Sequence, residues 1–135
     1  MTKRRISFET VDNYDMGGFR NFIKDLVVDT DKYEVYIISN DDNTAYMNSI
    51  GANLGLLPAY IIACSTQQDK IDAIDDNNID IHFDNLQSFT LLVEETTDAY
   101  GILVTPNLNK FYLEPDYQLV FNRTLERILS DEQNP

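Results

Sequence analysis

Hydrophobic positions along the chain alternate between two periods, one typical of strands and the other of helices. In the segment 5–10 the apolar side chains are Ile6 and Phe8, which is the two-residue period of a half-buried strand. In the segment 17–29 the spacing changes to three and four residues, which predicts a helix with one apolar face. That face consists of Phe19, Phe22, Ile23, Leu26 and Val27.

The same alternation between strand-like and helix-like spacing of apolar residues continues to the end of the chain. Further strands are predicted at 33–40, 58–64, 79–85 and 99–105, and further helices at 41–56, 65–78, 86–97 and 116–133. The predicted cap of the second helix is Asp41 or Asp42, and that of the third is Ser65 or Thr66. Strands that alternate with helices predict right-handed crossovers. We therefore expect an α/β fold, a three-layer αβα sandwich around a five-stranded, mainly parallel sheet.

Length and composition predict a single globular domain over 1–130 with a polar tail at 131–135. The chain has 135 residues, 43% of them hydrophobic, and its single cysteine, Cys64, excludes an intramolecular disulfide. No apolar run reaches the length of a membrane span, so a cytoplasmic protein is expected. The net charge of −13 argues against direct nucleic-acid binding, which depends on Lys and Arg neutralising phosphates. It fits a soluble enzyme, a binder of a basic protein or a mimic of nucleic acid.

Polar residues gather where the predicted strands end. In an open parallel sheet, ligands bind at the carboxyl ends of the strands, near the point where the strand order reverses. Four segments follow strand ends: 9–12, 39–42, 65–70 and 84–85. Each could supply only helix caps. All four together, with Lys70 at a helix start, indicate a site.

This layout resembles the haloacid dehalogenase-like phosphohydrolases over roughly residues 4–105. In that family the first strand ends in Asp-x-Asp, the second in Ser or Thr, a Lys opens the helix before the fourth strand, and the fourth strand ends in acids. Here Ser39 stands at the hydroxyl position, Lys70 at the lysine position, and Asp84 and Asn85 at the fourth-strand position. The resemblance implies a capless domain with strand order 5-4-1-2-3, and a site for Mg²⁺ and phosphate.

The first motif departs from the family, and two registers are open. One places Glu9 at the nucleophile position and Val11 at the acid/base position; the other places Thr10 and Asp12 there. We prefer the first, because the second buries Glu9 in a central strand, where an unpaired charge is costly. In either register, one of the two aspartates of the family's Asp-x-Asp motif is missing. Glu9 is one methylene longer than the usual nucleophile, and a valine cannot transfer a proton, which forfeits roughly 10²–10⁴ in rate.

The expected function is therefore a haloacid dehalogenase-like domain with a degenerate site, which binds a phosphate-containing ligand or a protein partner rather than hydrolysing phosphate efficiently. One alternative is an active Mg²⁺-dependent phosphohydrolase of the nucleotidase kind. Another is an acidic inhibitor that binds a basic partner. The expected roles are catalytic for Glu9, Thr10, Asp12 and Lys70; phosphate-binding for Ser39, Asn40 and Lys70; and Mg²⁺-binding for Glu9, Asp84 and Asn85. His82 and Cys64 are expected in the core.

Overall fold

The structure, a computed structural model, describes residues 3–10, 17–40 and 44–104. Within them five strands alternate with four helices: β1 (Arg4–Phe8), α1 (Gly17–Val28), β2 (Tyr33–Ser39), α2 (Thr44–Leu54), β3 (Ile61–Ala63), α3 (Gln67–Asp76), β4 (Ile81–Asp84), α4 (Gln87–Thr96) and β5 (Tyr100–Leu103). Asp12, the two predicted caps Asp41 and Asp42, the predicted helix at 116–133 and the tail at 131–135 lie outside the described residues. None of the described helices has the length and apolar character needed to span a membrane.

The five strands form one parallel sheet in the order β3-β2-β1-β4-β5. This is the order 5-4-1-2-3 read from the opposite edge, so the predicted α/β class and sheet are confirmed. The central strand is β1, where Phe8 lies opposite Ile37 of β2 and Phe83 of β4. The strand order reverses between β1 and β4, which makes the carboxyl ends of these two strands the expected ligand site.

Each face of the sheet is covered by two helices. The first hydrophobic cluster joins α1 and α2 to one face: it includes Ile6, Phe8, Phe19, Phe22, Ile23, Ile37, Met47, Ile50 and Phe83. The second joins α3 and α4 to the other face: it includes Tyr36, Ile38, Cys64, Ile71, Ile74, Phe89 and Val93. Successive strand residues point to opposite faces, so both clusters draw on the same strands. The arrangement is the expected three-layer sandwich.

The predicted strand at 58–64 is wrong in its first half. Pro58–Tyr60 forms a single 3₁₀ turn, closed by the Ile61 N–H donating to the Pro58 carbonyl, and β3 contains only Ile61–Ala63. Proline lacks an N–H and has a fixed φ, which suits the first position of a helical turn and not a strand interior. The turn places the Tyr60 ring 4.8 Å from that of Tyr36.

Helix boundaries follow the local chemistry. At the start of α3 the Thr66 hydroxyl accepts a hydrogen bond from the Asp69 N–H at 3.1 Å, so Thr66 and not Ser65 is the cap. Asn78, which follows α3, has φ +52°, and Gly55, which follows α2, has φ +74°. Left-handed residues of this kind end helices, and both glycine and asparagine tolerate the conformation.

Candidate functional site

The two neighbouring strands β1 and β4 both alternate apolar and polar residues. Their register pairs Ser7 with His82. Ser7 and Glu9 therefore point to the same side of the sheet as His82 and Asp84, away from the first hydrophobic cluster. On that side they meet α3, which contributes Lys70. The result is a buried row of polar side chains that ends at the carboxyl edge of the sheet.

Lys70 lies at the centre of this row. Its side chain is 1% exposed, and Nζ lies 2.7 Å from Asp84 Oδ2 and 3.6 Å from Glu9 Oε1. Nζ also lies 4.2 Å from the ring centroid of Phe89, within the range of a cation–π contact. An ammonium removed from water needs such partners, because an unpaired buried charge is strongly destabilising. The structure thus brings Glu9 together with Lys70 and Asp84, which lie more than 60 positions further along the chain.

Asp84 accepts hydrogen bonds on both oxygens. Oδ2 accepts from Lys70 Nζ at 2.7 Å and lies 2.9 Å from His82 Nε2, and Oδ1 accepts from the Leu86 N–H at 3.0 Å. Burial by itself raises the pKa of Asp84, but the hydrogen bonds from His82 and Lys70 and the charge of the Lys70 ammonium outweigh it, and the pKa is lowered. Asp84 is therefore a carboxylate at neutral pH.

His82 connects Asp84 to Ser7 inside the sheet. The ring is fully buried, and Nδ1 lies 2.7 Å from the Ser7 hydroxyl. Burial lowers the pKa of His82, although Asp84 opposes the change, so the ring is neutral. The neutral ring accepts from the Ser7 O–H at Nδ1 and donates from Nε2–H to Asp84. Ser7 is 0% exposed in a strand interior, so this Ser–His–Asp sequence of bonds is closed to any substrate.

His82 lies in the core, as the sequence predicts, but Ser7 is not among the residues that the sequence singles out. The signal that could have found it is the matched alternation of the two strands, which read Ile6-Ser7-Phe8-Glu9 and Ile81-His82-Phe83-Asp84. Polar residues at alternate positions of two central strands need partners on one buried face.

Glu9 follows β1, and its carboxylate is surrounded by donors. The Glu9 N–H extends the pairing with β4 by donating to the Phe83 carbonyl at 2.9 Å. Oε2 accepts from the Thr10 N–H at 3.2 Å, Oε1 accepts from the Asn40 N–H at 3.4 Å, and the Ser39 hydroxyl donates to the same carboxylate.

Glu9 is also more deeply buried than the choice of register assumed. Its side chain is 3% exposed. Burial raises the pKa of Glu9, and Lys70 and Ser39 partly oppose the change. Glu9 is therefore a buried charge but not the costly unpaired charge on which the choice of register was based, because Lys70 pairs with it.

The remaining predicted residues occupy different positions around this carboxylate. The Thr10 hydroxyl lies 3.2 Å from that of Ser39, and both residues are 0% exposed. Glu9, not Thr10, contacts Lys70, and the register of the first motif stays a prediction. Asn40 is exposed and contributes its backbone N–H, while Asn85 follows β4 and is half-buried. Asp12 lies outside the described residues.

The described residues do not fit a Mg²⁺ site as they are arranged. Among them, no three carboxylate, imidazole or thiol groups converge. The two acids expected to bind the metal, Glu9 and Asp84, both contact the Lys70 ammonium, and donors already take three of the four lone pairs of Asp84. Magnesium prefers six oxygen ligands in octahedral geometry. The Mg²⁺ site stays a prediction that needs ligands from beyond the described residues.

Cys64 lies directly after β3 beside the second hydrophobic cluster. Burial raises the pKa of the thiol to about 11, and the neighbouring Lys70 only partly opposes the change. The thiol is therefore protonated at neutral pH and behaves as a small buried hydrophobe, because the thiolate is the reactive form.

Comparison with known proteins adds no family to this description: no protein-family model matches the chain, and no match is found among curated proteins. The class that the structure defines is an α/β domain with a five-stranded parallel sheet and a buried ionic site at the carboxyl edge. The resemblance to haloacid dehalogenase-like proteins stays a prediction, which rests on Ser39, Asp84 and Asn85 at strand ends and on Lys70 of α3.

Proposed function

We propose that this chain is a haloacid dehalogenase-like domain that binds a phosphate-containing small molecule and hydrolyses it at most very slowly. The observation that carries the proposal is the convergence of Lys70, Ser39 and the Asn40 N–H at one point of the carboxyl edge. An ammonium, a hydroxyl and a backbone N–H are all donors, and together they suit the oxygens of a phosphoryl group. They are also the groups that the resemblance assigns to phosphate.

Two features argue against efficient turnover. The Glu9 carboxylate, which stands at the nucleophile position, is fixed by Lys70 and by the N–H groups of Thr10 and Asn40. A nucleophile must reach an in-line position close to phosphorus, and small errors of placement cost large factors in rate. In the same register Val11 occupies the acid/base position and has no proton to give.

Calorimetry with the wild-type chain tests this function. A phosphomonoester such as glycerol phosphate should bind with a Kd below about 1 mM, and it should remain uncleaved in the presence of Mg²⁺. The matched non-phosphate, glycerol, should not bind. Absence of heat with every phosphomonoester at about 10 mM, both for the wild type and for a folded Glu9→Ala variant, would rule out the proposed ligand class.

A second candidate, an acidic inhibitor of a basic protein, is favoured by the distribution of charge. The segment 65–104 holds nine acidic side chains and one Lys, and that Lys70 is buried. The exposed surface of α3 and α4 is therefore acidic, with Asp75, Asp76, Glu94 and Glu95 all exposed. A charge-driven complex associates fast and weakens as salt screens it.

The four acids provide the test of this second candidate. A variant that neutralises Asp75, Asp76, Glu94 and Glu95 with the matching amides should associate more slowly with a basic partner captured by the wild type, and its association should depend less on salt. Ser39→Ala, in the buried site, should leave association unchanged. Binding that ignores salt and the four acids would exclude this candidate.

A further inference from the structure

The donors around Glu9 form a receptor for one anion. They come from three separate parts of the chain: the Thr10 N–H after β1, the Ser39 hydroxyl and Asn40 N–H at the end of β2, and Lys70 Nζ on α3. We call these four groups the oxyanion pocket. Backbone N–H groups that point into a common concavity, together with an ammonium, are a recurrent way of holding an oxyanion.

The carboxylate in this pocket belongs to the chain itself. Oε1 of Glu9 meets both Lys70 and the Asn40 N–H, and Oε2 meets the Thr10 N–H. Glu9 reaches them because its backbone is held at the strand end by the hydrogen bond to Phe83. With the side chain 3% exposed, the carboxylate leaves no route by which a ligand could share the donors.

We propose that Glu9 is an internal competitor for the oxyanion pocket: it takes the place of the phosphoryl group of an incoming ligand and must leave before that ligand can bind. This inference rests on the proposed function, because it concerns the occupancy of the same site. The ligand class is a phosphate monoester or another oxyanion of similar size. A dianion entering beside a retained Glu9 carboxylate would meet like charge in a buried site, which is unfavourable.

The charges around Glu9 hold its carboxylate in the pocket. Among the described residues, Lys70 from α3 is the cation that attracts the carboxylate, and Asp84 from β4 repels it. The attraction of Lys70 is what an incoming oxyanion has to match.

The test compares the binding of inorganic phosphate to three proteins by calorimetry. Glu9→Ala, which empties the pocket, should bind phosphate at least about tenfold more tightly than the wild type, or about 1.4 kcal/mol. Glu95→Ala removes an equal charge from the exposed end of α4 and should bind as the wild type does. Ser39→Ala in the Glu9→Ala background should lose most of the gain, because it deletes one donor. Acetate should raise the Tm of Glu9→Ala and leave that of the wild type unchanged.

The outcomes separate this inference from the function on which it rests. If wild type and Glu9→Ala bind phosphate with equal affinity, the pocket takes phosphate but Glu9 does not compete, and the inference alone is wrong. If folded wild type and folded Glu9→Ala both fail to bind phosphate and phosphomonoesters, the proposed function is wrong as well.

A second measurement needs no variant that could fail to fold. In the wild type, the amide resonances of Thr10 and Asn40 should shift together as inorganic phosphate is added, because phosphate would replace the Glu9 carboxylate on the same two N–H groups. If calorimetry shows phosphate binding while neither amide shifts, phosphate binds elsewhere and the inference is overturned.

Discussion

Replacement of Lys70 by methionine tests the ionic site most directly. Methionine has nearly the length and volume of the lysine side chain without its charge, so the change removes the ammonium and leaves the packing against Phe89. Lys70 Nζ lies 2.7 Å from the Asp84 carboxylate and 3.6 Å from that of Glu9. At an effective dielectric constant of 20, these distances correspond to attractions of about 6 kcal/mol with Asp84 and about 5 kcal/mol with Glu9. The cost of burying the ammonium offsets much of this attraction. Removal of one partner of a buried ion pair typically costs about 3–5 kcal/mol.

Urea unfolding at neutral pH provides the assay. A loss of about 3–5 kcal/mol should lower the urea midpoint by about 2 M if the slope is about 2 kcal/mol/M. Lys32→Met is the matched control, because the ammonium of Lys32 is largely exposed and lies 4.0 Å from Asp29. Such exposed pairs are worth about 0–1 kcal/mol.

The pH dependence of the stability cost separates an ionic effect from a packing effect, because a loss of packing costs the same at every pH. Without Lys70, Glu9 and Asp84 are two buried carboxyls with no ammonium between them, so the pKa of each should rise in the folded state. A carboxyl whose pKa is higher in the folded than in the unfolded protein stabilises the fold below its unfolded pKa. That stabilisation is lost as the pH rises through its folded pKa. The cost of Lys70→Met should therefore be smallest near pH 4 and largest at pH 7, and Glu9→Gln in the same chain should recover part of it. A cost below about 1 kcal/mol, or one equal at both pH values, would refute the ionic account.

Three further predictions concern catalysis, acid–base linkage and packing. Turnover of a generic phosphate ester with Mg²⁺ should stay at background; a kcat of about 1–10³ s⁻¹ that Asp84→Asn abolishes would show that the first motif has been misread. Because burial raises the pKa of Glu9, the wild type should lose stability relative to Glu9→Gln as the pH rises from about 4 to 7, and a constant difference in urea midpoint would contradict this. Gly101→Ala should lower Tm more than Gly51→Ala, because the added Cβ meets the backbone carbonyl of Thr90 at position 101 but only the flexible end of a side chain at position 51. Equal thermal shifts would count against this difference in packing.

Much of the fold follows from local pattern. The exchange between two-residue and three-to-four-residue periods located all five strands and four helices of the described residues, because a strand or helix must bury its apolar side whatever it packs against. The parallel sheet with helices on both faces follows from their alternation. The wrong prediction at Pro58 is local too, since the three turn residues Pro58–Tyr60 before Ile61 resemble the start of an apolar strand.

The candidate site was predicted in its composition but not in its contacts. Polar residues at strand ends marked Glu9, Ser39 and Asp84, and Lys70 was marked by its place at the start of the helix that follows the third strand. Their positions along the chain do not say whether a carboxylate stays in water or turns inward. The preference for the register with Glu9 at the nucleophile position was based on the cost of an unpaired buried charge, whereas Glu9 is buried and paired with Lys70; the register itself stays a prediction.

By itself, then, the sequence determined the elements, the fold class and the edge of the sheet where polar groups collect, since these depend on neighbours along the chain. Tertiary structure alone decided that Lys70 stands between Glu9 and Asp84, that His82 links Asp84 to Ser7, and that Glu9 fills the oxyanion pocket. These contacts join residues on different strands and helices, so they depend on the register of β1 against β4 and on where α3 crosses the sheet. A buried charge is tolerated only where such a partner arrives from elsewhere in the chain, and that arrival is a property of the folded sheet.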